Sequence, residues 1–373
     1  MKARGAVSIA FLVLGACFAC LACRIPDLQR RLALDEAQLG MALLSCAAGA
    51  VTGVAIAGRI CARWGSHIVT SRAALGCCAY LALLSFTSSL WTLIPAFILF
   101  GACTGIMDVA MNTNGVAVEK LEPKPIMSSL HGMFSLGGLV WAAIGWLVVK
   151  CGISVQVHFV SAAILLACVL FWIEPRMLRS TPNPDHLAPP FAIPEKAVLV
   201  VGIIAFCAFL SEGAMGDWSA IYLRKFLHQT PAFSTLGYFA FSLAMTATRF
   251  GGDAVLHRWG ATTTLRVSGL VTTVGMGLAL WFAVPWLTIV GFASVGLGMA
   301  TVAPVAFSLG GRIGGDKPDH AIGSIATLAY VAFLVGPALI GFLAKSLSLR
   351  DALSVVVLLA IMIVLLSGFA SKT

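Results

Sequence analysis

Gly58-Arg59-Ile60-Cys61-Ala62-Arg63-Trp64-Gly65 and Gly252-Asp253-Ala254-Val255-Leu256-His257-Arg258-Trp259-Gly260 are two versions of one turn, with Arg-Trp-Gly recurring 195 residues later. Each copy follows an apolar stretch of helical length and precedes another. Each also falls between the second and third such stretch of its half of the chain. Chance recurrence around ordinary basic residues is the competing reading, and the matching position within each half favours duplication. The glycines let two helix ends approach closely, and an arginine can bond the free carbonyls of a helix C-terminus and oppose its dipole. Gly58, Arg63 and Gly65, with Gly252, Asp253, Arg258 and Gly260, are therefore expected to form two latch turns.

The surroundings of these turns are too apolar for water. Of 373 residues, 60% are hydrophobic and 10% charged, with a mean hydropathy of +0.98, whereas soluble globular chains carry about 25% charged residues. A bilayer acts as solvent for such a surface, so the chain is expected to be an all-α protein of a lipid bilayer. The net charge of +9 comes from 24 basic residues scattered between apolar stretches, without the clustered basic and aromatic surface that nucleic acid requires, so no nucleic-acid partner is expected.

A hydrocarbon core of about 30 Å needs about 20 apolar residues per helix. Twelve stretches qualify, approximately 5–23, 37–58, 72–89, 92–117, 128–149, 154–173, 197–222, 233–251, 266–283, 286–308, 322–344 and 350–370. With the N-terminus in the cytoplasm, two thirds of the basic residues fall in cytoplasmic segments, which predicts that both termini lie inside. The longest polar interruption, Glu174 to Glu195, contains six prolines and cannot continue a helix. The expected organisation is thus a six-helix bundle over 1–173, a cytoplasmic linker over 174–195 and a second six-helix bundle over 196–373.

The N-terminus mimics a lipoprotein signal, with Lys2, Arg4, an apolar run and Leu14-Gly15-Ala16-Cys17. Cleavage there would delete the first span, on which the later pattern depends, so this segment reads as a helix that stays. Cys17, Cys20 and Cys23 have metal-like spacing but no His, Asp or Glu nearby. They read as small packing residues, and neither a metal nor a cofactor is expected. There is no G-x-x-x-x-G-K-[ST] phosphate loop, no H-E-x-x-H and no Ser-His-Asp group. An enzyme is not expected, and any energy input would come from gradients or a separate subunit.

An ionisable side chain in an apolar span costs roughly 2.5 kcal/mol or more, which makes each one a candidate for function. Asp108 lies about 25 Å along the fourth span from Trp91. Thr104, Asp108 and Asn112 share one face by i, i+4 spacing, with Asn114 on another. In the seventh span Glu212 lies about 24 Å from Lys196, within Phe209-Leu210-Ser211-Glu212-Gly213-Ala214-Met215-Gly216-Asp217-Trp218. Glycines among polar residues predict a kinked or interrupted helix, and carboxylates beside aromatic planes suit a hydroxylated ring. His131, at the start of the fifth span, is a candidate proton relay. Pro304 and Pro337 are expected to break the ladders of spans ten and eleven and to act as gating kinks. For Asp108, Glu212 and His131, structural pairing and helix packing is the alternative reading.

At the Arg-Trp-Gly turns the sequence resembles the major facilitator superfamily, whose signature there is Gly, three variable residues, Asp, Arg, any residue and Gly. Gly58, Arg63 and Gly65 match, whereas Ala62 occupies the Asp position of the first copy and His257 that of the second. Arg24-Ile25-Pro26-Asp27, Asp108-x-x-x-Asn112, Ser128-Ser129-Leu130-His131-Gly132 and Glu212-Gly213-Ala214 extend the likeness to the branch that contains fucose permease. The resemblance implies two pseudo-symmetric six-helix bundles and a bacterial inner-membrane transporter, expected to be a monomer. It further implies that Asp108 and Asn112 match the acid and amide that the family links to proton coupling. The acid expected in the first helix is missing. The expected function is secondary transport of a small polar solute by alternating access, with protons as a candidate coupling ion. Efflux of amphipathic compounds is the alternative, followed by a non-transporting sensor.

Overall fold

The computed structural model describes residues 3–119, 121, 126–179, 196–313 and 318–371. Among them the chain is helical throughout, in the order α1 (Ala3–Arg31), α2 (Glu36–Trp64), α3 (Ser66–Leu84), α4 (Leu90–Glu119), α5 (Met127–Lys150), α6 (Val155–Ile173), α7 (Lys196–Ile221), α8 (Pro231–Phe282), α9 (Pro285–Met299), α10 (Val302–Ile313), α11 (Pro318–Ser346) and α12 (Leu349–Leu366). Eleven stretches of the described residues are long and apolar enough to cross a membrane. The predicted span over 233–251 forms the first part of α8.

The helix ends differ from expectation at several places: α2 runs six residues past the predicted end at 58, α3 starts six before the predicted start at 72, and three further differences stand out. Helix α1 continues eight residues past the predicted end at 23, through Pro26, because its charges have partners on the way: Arg24 is 4% exposed and donates to Asp27 Oδ2 (2.8 Å), His158 Nδ1 (3.1 Å) and the Ile153 carbonyl (2.6 Å). Helix α8 joins two predicted spans across a break at Gly260 (φ 71°, ψ 167°). The tenth predicted span is divided at Ala300 and Thr301 into α9 and α10. Pro304 sits in the first turn of α10, four residues after Ala300, whose carbonyl it cannot supply with an N–H. Pro337, by contrast, lies inside an unbroken α11.

The chain divides into two compact units, residues 1–34 with 41–190 and residues 35–40 with 191–373. In the first, α1 packs on α3, α4, α5 and α6. Small residues set the crossings, as lipid provides no hydrophobic drive between helices. Gly49 and Gly53 of α2 face the carbonyls of Ile98 and Ala102, while Gly101 and Gly105 of α4 face those of Cys46 and Ala50, so a methyl group at any of the four would collide with backbone. In the second unit, α7 packs on α8, α10, α11 and α12, and α8 on α9 and α12.

Residues 35–40 belong to the second unit through local chemistry. Asp35 caps α2 reciprocally with Gln38: Gln38 N donates to Asp35 Oδ1 (2.8 Å) and Asp35 N to Gln38 Oε1 (3.0 Å). The Gln38 N–H, with Lys345 Nζ 2.9 Å from Asp35 Oδ2, holds the Asp35 carboxyl below its ordinary value. Lys225 Nζ reaches Glu36 Oε1 at 2.8 Å. Gly40 lies against Pro337 O and Gly341 Cα of α11, too close for a Cβ on either glycine.

Candidate functional site

In the first unit the α4 face forms as its spacing predicts. Thr104 is buried and bonds back to Gly101 O (2.8 Å). Asp108 is half-buried, and the Asn112 amide donates to its Oδ1 (3.1 Å) and to its carbonyl (2.8 Å). Asn112 thus orients the carboxylate and keeps its own oxygen as an acceptor. Asn114 belongs to a different cluster. It is fully buried and donates to Leu178 O (2.8 Å) and Ser66 Oγ (3.3 Å), tying α4 to the start of α3 and to the segment after α6. His131 is exposed on α5, edge-on to Phe11 with ring centroids 5.2 Å apart.

In the second unit Glu212 pairs with Arg249 of α8, Oε1 to Nη2 at 3.4 Å, with side chains 21% and 22% exposed. Arg249 is not among the candidates drawn from the sequence, although it stands inside the predicted span over 233–251. An arginine within an apolar run was the available signal. The predicted interruption of α7 near Glu212 is absent, because the helix is continuous from Lys196 to Ile221 and a π-turn follows at Tyr222–Phe226. The glycines there admit rings instead: a Cβ on Gly213 would lie 3.3 Å from Phe333, and one on Gly216 4.0 Å from Tyr238.

Asp217 is half-buried on α7 and makes no hydrogen bond or ion pair among the described residues. Trp218, the expected stacking platform, is sealed in the core at 0% exposure in this structure, its indole N–H without a partner among those residues. The aromatic rings near Glu212 are Phe209, Phe333 and Tyr238, which sequence spacing alone did not bring together.

The two latch turns share a backbone. Gly65 (φ 84°, ψ 140°) and Gly260 (φ 71°, ψ 167°) adopt the same unusual conformation after Trp64 and Trp259, both exposed. Arg63 and Arg258 are exposed and bond nothing among the described residues, and among these the glycine backbone makes the turn. Gly58 faces open space. Gly252 and Asp253 lie within α8, and their side chains are outside the described residues. Cys17, Cys20 and Cys23 are buried, and no group of three metal-ligating side chains occurs among the described residues.

Residues 7–337 match the model of the Major Facilitator Superfamily. An uncharacterised MFS-type transporter of Yersinia pestis is 34% identical over 355 residues, covering 94% of this chain and 91% of that protein. The uncharacterised transporter y4wD of Sinorhizobium fredii is 33% identical, covering 97% and 96%, and the membrane protein MosC of Rhizobium meliloti is 30% identical, covering 98% and 90%. Among solved structures the nucleoside transporter NupG superposes with a TM-score of 0.77 at 12% identity, covering 100% and 99%. The human organic anion transporter MFSD10 gives 0.70 at 14%, covering 98% of each chain.

Proposed function

This chain belongs to the Major Facilitator Superfamily and is a multi-pass membrane transporter, and from that premise we propose that it moves a small polar solute across the bacterial inner membrane by alternating access. The observation that carries the choice of a polar solute is the Glu212–Arg249 pair. A carboxylate and a guanidinium, both half-buried between α7 and α8, offer acceptor and donor groups side by side. A carrier of purely apolar cargo has no use for two charges at that cost. Asp108 with Asn112 supplies a second carboxylate and amide.

Proton coupling rests on Asp108, a half-buried carboxylate with an amide holding one oxygen. Protonation there would discharge the first unit once per cycle. The charge bias supports a cytoplasmic side for both termini, and one chain is taken as the functional unit. Neighbours of the same fold carry nucleosides and organic anions by their names, which makes these two classes, with sugars, the panel to try first.

The test is uptake by purified protein in proteoliposomes. Saturable flux of a panel solute driven by an imposed proton gradient is expected, with Asp108→Asn keeping solute exchange and losing gradient-driven accumulation. Uptake indifferent to both the gradient and Asp108→Asn removes the coupling claim, and absence of flux for every polar solute removes the transport reading.

A further inference from the structure

Each unit contains a phenylalanine whose ring meets two others edge to face, on corresponding helices. In the first, Phe18 of α1 contacts Phe100 of α4 (centroids 6.4 Å, 77°) and Phe134 of α5 (6.1 Å, 69°). In the second, Phe209 of α7 contacts Phe307 of α10 (6.5 Å, 73°) and Phe333 of α11 (5.4 Å, 70°). These are the first, fourth and fifth predicted spans of each half. Each member of the second cluster follows its counterpart by about 200 residues, near the spacing of the Arg-Trp-Gly turns.

Phe100 is fully buried, but Phe18 is exposed and Phe134, Phe209, Phe307 and Phe333 are half-buried, which ordinary core packing does not explain. Phe18 is 38% exposed, while its neighbours on the same helical face are buried: Leu14 2%, Leu21 6%, Ala22 6% and Ile25 2%. A helix side turned to lipid would expose that whole stripe, so Phe18 opens onto a local space. On α7 the half-buried stripe runs through Phe209, Glu212, Gly213 and Gly216, and a stripe that carries a half-buried ion pair is not a lipid face.

Polar groups accompany both clusters. Glu212 lies one turn from Phe209, His131 one turn from Phe134, and Asp108 two turns along α4 from Phe100. We propose that each cluster, within its own unit, offers ring contacts to a planar, weakly polar ring, so that the transported solute is a (hetero)aromatic ring bearing hydroxyl or charged groups and not a bare polyol. This rests on the transport reading above. Phenylalanine edges and faces meet such a ring in offset or edge-on contact, and they give nothing to hydroxyl groups, for which Asp108 and Asn112 stand in the first unit and Glu212 and Arg249 in the second.

Matched probes separate the two claims: uridine against ribose, p-nitrophenyl β-glucoside against glucose, and 4-hydroxybenzoate against lactate, measured by thermal shift in detergent and by proteoliposome flux. At least one ring-bearing probe should bind about tenfold or more tighter than its ringless partner. Phe18→Leu and Phe209→Leu, which keep apolar volume and serve as folding controls through their ligand-free Tm, should each reduce that preference severalfold. Equal or better binding of the ringless partners, no binding by any ring-bearing probe, or a preference that survives both leucine variants overturns the proposal. Flux of ringless solutes alone removes the ring claim and leaves transport standing, whereas ring-selective binding without flux of any probe does the reverse.

Discussion

Arg249 Nη2 lies 3.4 Å from Glu212 Oε1, an ion pair inside two apolar helices of one unit. Breaking a buried pair from one side leaves an uncompensated charge at a cost of about 3 kcal/mol or more. Here each side chain keeps about a fifth of its surface exposed, which scales the expectation down to roughly 1 kcal/mol. Arg249→Gln should therefore lower the Tm in detergent more than the double variant Glu212→Gln/Arg249→Gln, in which neither charge is left alone. A double variant less stable than the single one would show that the pair itself contributes little.

Asn112 and Asn114 stand two residues apart and should behave oppositely. Asn114→Ala removes donors from Leu178 O and Ser66 Oγ in a buried cluster, a loss of about 1–3 kcal/mol, visible as a lower Tm with KM unchanged. Asn112→Ala releases the Asp108 carboxylate and should change solute flux about tenfold while the Tm stays within a few degrees. Equal effects of both on KM would place Asn114 in the solute path.

Gly65 and Gly260 hold φ values near +80° with extended ψ, a region that other residues enter at a cost of about 1–3 kcal/mol. Gly65→Ala and Gly260→Ala should each destabilise by that order. Gly58→Ala, in a helix with nothing within 4 Å of the added methyl, should be neutral or slightly stabilising by about 0.5–1 kcal/mol. Ranking the three by thermal unfolding checks the assignment of the turn to backbone geometry.

Asp35 carries a pH dependence with a definite sign. Its carboxyl is held below the ordinary value by the Gln38 N–H and by Lys345, so its contribution is present above the unfolded pKa of about 3.9 and lost as pH falls through the lower folded value. Asp35→Ala should cost about 1 kcal/mol at neutral pH as a lost helix cap. Asp35→Asn, which can still cap, should cost less. The gap between wild type and Asp35→Ala should narrow below about pH 4, measured as unfolding midpoints across a pH series.

What the order of residues alone determined was everything set by local composition in a lipid solvent: the apolar spans, the Arg-Trp-Gly turns and the Asp108 to Asn112 face, each fixed by helical rise or by the demand that backbone polar groups be satisfied internally. The prolines were legible as breaks but not as to where. Pro304 acts four residues upstream at Ala300, and the helices that hold Pro26 and Pro337 continue past them.

Partners across helices were decided only by the tertiary structure. Arg249 meets Glu212, Asn114 turns to Leu178, Trp218 is sealed and the six phenylalanines gather in threes. Such pairings depend on the rotation and depth of each helix against its neighbour. Those are set by contacts like Gly101 on Cys46 and Gly105 on Ala50, where the close approach of two backbones, and no property of either helix by itself, selects which side chains face one another.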